Sequence, residues 1–515
     1  MAKNITVNLD AMIERSDFAT IKENVKMAYE SINSIALKDF SGLIGATLRK
    51  PDFQRETNHW TPQQVVSLLE CFVNGDLIPG VILWKSPSYI FVIDGGHRLS
   101  ALKAWVEDDY GDGPKSLVYF GGTIPKDQKK AADRTRSLIQ ENIGSYKHIE
   151  TKIQQGQIDE KSSVIVSRGL PLQWVNGDVD KAENSFFKIN TQGTPLDDIE
   201  ESLLRNRRKP IAIASRAVIR AGFGHKYWSK FLVENAKKIE ELSKILHETL
   251  FDPELSSPIK TIDLPLGGSK GIRAALTVLI EFFSIACEIN TPKPFKVAYD
   301  IDDNDGNGTI KVLTSALKVA QRMTGNEKGS LGLHPAIYFY GPNGTHIIPM
   351  FLGTSRVISK AIADNNKDFF VKFTNKRAKI EEILIRDKEL IATVLQKNGS
   401  QRRIRAYENI FKEIIDAENP ESITQENIVD WGGVSGRIIL GTIKDTSIDF
   451  SDDVKSTVFI INALKREQTC PICNGFIDVT KSASYDHIQR KQDGGGGSCD
   501  NCQITHPFCN QSIKN

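Results

Sequence analysis

Apolar and polar positions divide the chain into two stretches of different rhythm. Over roughly the first 200 residues, short apolar runs alternate with helical patterns. Val81-Ile82-Leu83-Trp84 and Ile90-Phe91-Val92-Ile93 have no polar interruption and predict buried strands. The second runs straight into Asp94-Gly95-Gly96-His97-Arg98, after which Leu99, Leu102, Ala104 and Trp105 recur at helical spacing. The expected unit is strand, glycine-rich turn, helix. From about Asp197 to Asp453 the helical period dominates, most clearly over Tyr227–Leu246, Arg356–Phe373, Ala378–Leu395 and Gln401–Ala417. Gly267-Gly268-Ser269 and Gly341-Pro342-Asn343-Gly344 mark turns between them. Leu333 to Tyr340 reads as one more buried strand, its aromatics belonging to the core. Ile272 to Cys287 is the most apolar long segment, but Arg273 and Glu281 interrupt it and it is too short to span a bilayer. A buried helix is expected there.

Length changes this picture only by dividing it: 515 residues suggest about three domains at roughly 150 residues each. We expect an α+β multidomain protein with an N-terminal domain over 1–205, a mainly helical connecting domain over 206–455 and a small module over 456–515. Hydrophobic and charged contents of 40% and 25% are those of a soluble globular chain. A net charge of +2 does not by itself announce a nucleic-acid binder. Met1 to Asp17 is polar throughout, with no secretory signal, so a cytoplasmic protein without a membrane partner is expected. Of seven cysteines, Cys71 and Cys287 stand alone, while Cys470, Cys473, Cys499, Cys502 and Cys509 crowd the C-terminus. In a reducing compartment such a crowd points to metal before disulfide.

Cys470-Pro471-Ile472-Cys473 places two thiolates on one side of a tight loop, suited to tetrahedral zinc. The second pair is either His506/Cys509 or Cys499/Cys502, and spacing leaves both open. Between the pairs lie Asp486-His487, a Gly494 to Gly497 run and Asn501, and Asn510 follows Cys509. This order of elements resembles the HNH, or ββα-metal, nuclease family over the whole module. The resemblance implies structural zinc on Cys470, Cys473, His506 and Cys509, with His506 where most members carry cysteine. It makes Cys502 a small buried hydrophobe. It also implies that His487 is the general base, that Asp486 and Asn510 hold catalytic Mg²⁺ or Mn²⁺, and that Asn501 holds the loop bearing the histidine. The plainer alternative is a zinc finger without catalysis.

Asp94-Gly95-Gly96-His97-Arg98 reads as an anion site: glycines admit a ligand to the backbone, helix-start N–H groups face it, and Arg98 adds a charged contact. The alternative is an Asp-capped turn. Phe53-Gln54-Arg55, Trp60, Gln64-Val65-Val66, Leu68-Leu69, Ile78-Pro79-Gly80, Trp84 and Phe186 to Leu196 accompany it. The series resembles the GmrS-type domain of GmrSD- and SspE-like phage-defence restriction proteins, of ParB/sulfiredoxin-like fold, over roughly residues 35 to 205. That family implies binding and hydrolysis of a nucleoside triphosphate with Arg55, Asp94 and Arg98. The expected site also includes Gly95, Gly96, His97, Asn190 and Gly193. Gly96 and His97 replace the two glutamines of the family's Asp-Gly-Gln-Gln-Arg signature. His97 is either a substitute polar contact, an acid/base or an ordinary turn residue.

Asp303, Asp305, Asn307, Gly308 and Ile310 follow calcium-loop spacing, but Thr314 stands where glutamate is needed, so a plain turn is expected. Arg205-Asn206-Arg207-Arg208-Lys209, Lys376-Arg377 and Arg402-Arg403-Ile404-Arg405 could track DNA phosphates. The expected function is metal-dependent DNA cleavage in anti-phage restriction, governed by an N-terminal domain that senses a nucleotide, a DNA modification or both. A single blade cuts one strand, so a double-strand break needs a second event or a second protomer of a homo-oligomer. The rivals are a DNA-binding regulator with a zinc anchor, and a nucleotide-modifying N-terminal domain with an auxiliary nuclease.

Overall fold

The computed structural model describes residues 6–16, 32–51, 54, 57, 60–86, 88–192, 198–223, 228, 231–269, 271–287, 301–438 and 449–514. They form two compact units, one of residues 1–204 with 223–227, the other of 205–222 with 228–515. Together they make a mixed α/β protein of large helical content. Among the described residues no helix is long and apolar enough to cross a membrane.

The first unit is built on six strands: β1 (Arg15–Ser16), β2 (Ser34–Ala36), β3 (Leu48–Pro51), β4 (Val81–Lys85), β5 (Ile90–Asp94) and β6 (Gly169–Val175), in the order β1-β3-β5-β4-β6-β2. β4 and β5 are antiparallel neighbours, with Leu83 opposite Val92 and Trp84 opposite Phe91. Alternation sorts their side chains to two cores. Val81, Leu83 and Val92 join Val65, Leu69, Phe72, Leu99, Leu102 and Trp105 on one face. Trp84, Phe91 and Ile93 meet Ala182 and Phe186, from the helix Val179–Gln192, on the other. The apolar runs in the sequence are uninterrupted because both faces are covered. The register shifts between Ile82 and Leu83, the former opposite Asp94, where β5 gives way to the glycine turn.

Beside this sheet lies a fully buried charge cluster. Asp10 Oδ1 accepts from Lys50 Nζ at 2.7 Å, Arg15 at 2.8 Å and the Thr57 amide at 3.0 Å. Burial alone would raise the Asp10 carboxyl, but Arg15 and Lys50 hold it well below the usual carboxylate range. Arg15 also donates to Pro51 O at 3.2 Å and Gln54 O at 2.5 Å. The cluster therefore ties down the chain on either side of Gln54.

The second unit is mainly helical, its major helices being Pro210–Ile219, Val233–Phe251, Ile272–Ala286, Asn307–Met323, Ile348–Ala363, Lys367–Arg386, Lys388–Lys397, Arg403–Asp416 and Asp452–Leu464. The apolar segment from Ile272 is a helix as expected. Three expectations need correction. Leu333–Tyr340 is not a strand: Pro335–Tyr338 is a short buried helix, capped by His334 Nδ1 accepting from the Ala336 amide at 3.2 Å. A proline after a capping residue starts a helix, and an apolar run this short has no period to show it. The pattern over Arg356–Phe373 is two helices, because Asn365 takes a left-handed φ of 49° and the Asn366 side chain caps the next helix. The pattern over Ala378–Leu395 likewise breaks at Asp387. The Asp303 turn is a helix cap: its buried carboxylate accepts from the amides of Gly306 and Thr309 and from Thr309 Oγ1.

Asp10→Ala strips Lys50 and Arg15 of their carboxylate and should destabilise the first unit by about 3–5 kcal/mol at pH 7. A depressed folded pKa contributes stability above the unfolded value and loses it as pH falls through the folded one. The gap between variant and wild type in denaturant unfolding should therefore narrow as pH drops below about 4. A gap constant down to strong acid would contradict the assignment.

Candidate functional site

The C-terminal module begins with a knuckle. The Cys470 amide donates to Gly475 O at 2.8 Å and the Asn474 amide to Cys470 O at 2.7 Å, with Asn474 left-handed at φ 57°. The loop thus turns Cys470 and Cys473 to one side. Two antiparallel strands follow, β7 (Ser484–His487) and β8 (Cys502–Thr505), with His487 opposite Cys502 and Asp486 opposite Gln503. A single π-type turn, Cys509–Ile513, comes next.

Cys470, Cys473, His506 and Cys509 are all buried, and their ligand atoms lie within 4.8 Å of one another. Cys473 Sγ is 3.3 Å and Cys509 Sγ 3.8 Å from His506 Nδ1. Tetrahedral zinc with bonds of about 2.0–2.3 Å needs donor separations of about 3.3–3.8 Å. His506 Nε2 lies 2.9 Å from Phe476 O, so Nε2 carries the proton and Nδ1 is left to face the sulfurs. Hydrogen bonds with Cys473 and then Cys509 hold the Cys470 thiol far below the usual thiol range. The bond to Cys470 pushes Cys473 up to about 11, and Cys509 is raised as well. Burial keeps the His506 imidazole below its ordinary value, hence neutral. The set fits zinc. Of the two pairs left open by spacing, the structure joins His506/Cys509 to the knuckle, whereas Cys499 and Cys502 are exposed. Cys502 is therefore not the buried hydrophobe expected; it begins β8, on the open side of a two-stranded ribbon.

The knuckle is seated on the helical body. Arg377, from Lys367–Arg386, pairs with Glu381 at 2.7 Å; their side chains are 1% and 0% exposed. Arg377 donates to Gly332 O at 2.8 Å, Leu331 O and Phe476 O at 3.4 Å, while Glu381 Oε2 accepts the Phe476 amide at 2.7 Å. Gly475 is required at this approach, since a Cβ there would lie 2.6 Å from Arg377 Cδ. Lys376 donates to Ile415 O and Ala417 O. Arg377 is thus a buried brace and Lys376, half-buried, is held by backbone carbonyls, so the pair is not a free surface track for phosphates. Sequence reading missed this role because an Arg–Glu pair at i,i+4 is indistinguishable from a solvated helix face.

The hairpin gathers the remaining predicted residues. Asp486 is 8% exposed, and its Oδ2 accepts from Gln503 Nε2 at 2.8 Å and Lys514 Nζ at 2.6 Å. His487 follows it, half-buried. Asn510 Nδ2 donates to Ser484 Oγ at 2.8 Å and Tyr485 O at 3.1 Å, so the atom this amide offers a cation is Oδ1. Asn501 accepts from the Gln489 amide at 2.6 Å and donates to Gln489 O at 3.1 Å and Gly496 O at 2.7 Å. It clamps the loop just after His487. The Asn510 side chain is thereby tied to the two residues that precede Asp486 on β7.

In the first unit, Gly95 has φ 95°, and a Cβ there would lie 2.9 Å from Val81 Cγ2 and 3.1 Å from the Arg98 guanidinium. The helix Gly96–Glu107 starts from it. Asp94 does not cap that helix: its carboxylate binds Arg98 at 2.6 Å, and Arg98 also donates to Gly80 O at 3.2 Å. Gln54 Nε2 donates to Val92 O at 3.0 Å and Ile93 O at 3.3 Å. Its Oε1 lies 3.4 Å from where a Gly96 Cβ would stand. The Trp60 and His97 rings are 5.3 Å apart, tilted by 30°. Gln54 Oε1 and Arg98 Nε are buried with no hydrogen-bond partner among the described residues, the kind of unmet capacity that a polar ligand satisfies. Arg55 and Gly193 lie outside the described residues, as does the side chain of Asn190, within the helix Val179–Gln192.

The first unit thus carries a mixed sheet with a glycine turn, and the same chain ends in a Cys/His cluster that could hold a metal. Residues 32–208 match the family described as GmrSD restriction endonuclease, N-terminal domain, so the first unit carries a domain of the GmrSD restriction type. No curated protein and no solved structure matches the chain.

Cys509→Ser should release zinc and loosen the C-terminal module, and Cys502→Ser should keep both. Metal analysis with the reverse result would move the site to the Cys499/Cys502 pair.

Proposed function

We propose that this protein is a metal-dependent HNH DNA endonuclease of anti-phage restriction, governed by its N-terminal site. The observation that carries the reading is the assembly of Asp486, His487, Asn501 and Asn510 on one hairpin and its following turn, beside the Cys/His knuckle. A plain zinc anchor needs the knuckle but none of these four.

The chemistry follows from their types. His487 takes a proton from water as the water oxygen bonds to phosphorus and the bond to the leaving sugar oxygen breaks. Asn501 fixes the backbone behind the imidazole, holding the base against recoil. Asp486 and Asn510 would hold Mg²⁺ or Mn²⁺, which when bound stabilises charge on the phosphate and leaving oxygen. Zinc held by Cys470, Cys473, His506 and Cys509 would have all four positions filled by the protein and would serve the fold alone.

The GmrSD-type domain supports DNA as the substrate and phage defence as the setting. Its unmet Arg98 Nε, a donor beside a helix start, suits the phosphate of a nucleoside triphosphate or modified DNA, and the unmet Gln54 Oε1, an acceptor, suits a donor group elsewhere on such a ligand. Such a ligand governs cutting only if it binds the restrained and competent states with different affinity.

His487→Ala should lower Mg²⁺- or Mn²⁺-dependent plasmid cleavage by about 10²-fold or more while retaining zinc. Asn510→Ala should raise the divalent ion concentration needed. A zinc-loaded wild type that cuts neither plain nor modified DNA, with any nucleotide, would instead be a DNA-binding regulator with a zinc anchor. Arg98→Ala should abolish the dependence of cleavage on nucleotide or modification while leaving the C-terminal residues untouched. Identical titrations for variant and wild type would show that the N-terminal site does not govern cutting.

A further inference from the structure

Asp486, the carboxylate on which the proposed catalytic metal depends, already faces a cation supplied by the chain. Lys514 Nζ lies 2.6 Å from Asp486 Oδ2, donates to His487 O, and lies 3.4 Å from Ile488 O. All three acceptors are oxygens, the donor type a hard divalent ion takes. The side chains of Lys514 and Asp486 are 18% and 8% exposed, so the pair is largely withdrawn from water and is not a screened surface contact. Two further bonds keep the lysine there. Arg490 donates its guanidinium to Lys514 O, and the Lys514 amide donates to Cys509 O at 3.2 Å, closing the π-type turn. That turn also carries Cys509 and Asn510, so a proposed zinc donor and a proposed metal ligand share one element, and the competing ammonium is on the residue that ends it.

We propose that Lys514 is a built-in counter-cation: its ammonium occupies the oxygen cage of Asp486, His487 and Ile488, and a divalent ion must displace it to reach Asp486. This rests on the reading of Asp486 as a metal ligand. Lys514 is a positioning residue that sets metal affinity. A filled cage keeps the buried carboxylate paired when no divalent ion is present, and the site loads only when ion concentration overcomes a standing competitor.

The test is Mn²⁺ binding to the full-length, zinc-loaded chain, followed by the electron paramagnetic resonance of free Mn²⁺ without DNA. Lys514→Met keeps the aliphatic stem and removes the charge; it should bind Mn²⁺ about tenfold tighter than wild type, the worth of one charge-assisted hydrogen bond. Lys514→Gln should behave likewise, and Lys514→Arg, which keeps the charge, should stay near wild type. Zinc retention in each variant reports an intact knuckle. Asp486→Asn should abolish the binding in wild-type and Lys514→Met backgrounds alike. Unchanged or weaker Mn²⁺ affinity in both charge-neutral variants, with Asp486→Asn still abolishing it, would overturn the role of Lys514 and leave the metal site standing. So would Lys514→Arg behaving as Lys514→Met. Mn²⁺ binding indifferent to Asp486→Asn would overturn the metal reading and, with it, the proposal.

Discussion

Arg377 brings a full positive charge to a place with 1% exposure, and the C-terminal module is organised around meeting its needs. Removing such a group from water costs several kcal/mol, recovered only when every donor finds a partner. Here Glu381 takes one face of the guanidinium, and the carbonyls of Leu331, Gly332 and Phe476 take the rest. Glu381 is in turn satisfied by Tyr338 Oη at 3.0 Å and the Phe476 amide. Phe476 therefore has both its N–H and its C=O bound by one helical ion pair, and the same C=O receives His506 Nε2. The helical body, the knuckle and the tautomer of a metal ligand are fixed at a single peptide.

The first unit repeats the device with other residues. Asp10, Arg15 and Lys50 gather the backbone around Gln54, and Gln54 in turn reaches the end of β5 and the space beside Gly96. In both units a buried charge network with little surface exposure lies behind the candidate site and does not take part in its chemistry. Each network holds irregular backbone, which apolar packing alone orders poorly because its peptide groups must find partners. This division explains why the candidate sites sit on loops and turns and yet are well placed.

What was legible in the sequence follows from period and spacing. β4, β5, the glycine turn and the helix after it were readable because apolar runs, a Gly-Gly pair and a 3.6 period lie consecutively. The Cys/His knuckle was readable because its residue types are rare in combination. Helix breaks were not, because Asn365 and Asp387 interrupt the backbone without interrupting the apolar pattern. Nor were the roles of Arg377 and Lys514: a charge meets its partner through tertiary contacts between positions up to 99 residues apart, which no local pattern encodes. Cys502 was misjudged for a related reason, since a two-stranded ribbon leaves one face to solvent whatever the residue.

The knuckle and the His506/Cys509 pair enclose the hairpin between them, with Cys473 and His506 separated by 33 positions. A cross-link of that span removes about 4 kcal/mol of chain entropy from the unfolded state. Four-residue strands would not hold together without such help. Topologically the segment is a lasso closed at its base, and Gly496 and Gly497 lie at its exposed tip, with nothing near either Cα on the side-chain side. Length can therefore be gained or lost at Gly497, beyond the Gly496 carbonyl that Asn501 holds, while a metal on the Cys/His cluster would keep both strands in register. The exposed tip at Gly497, outside the Asn501 clamp, is where this module is free to diversify.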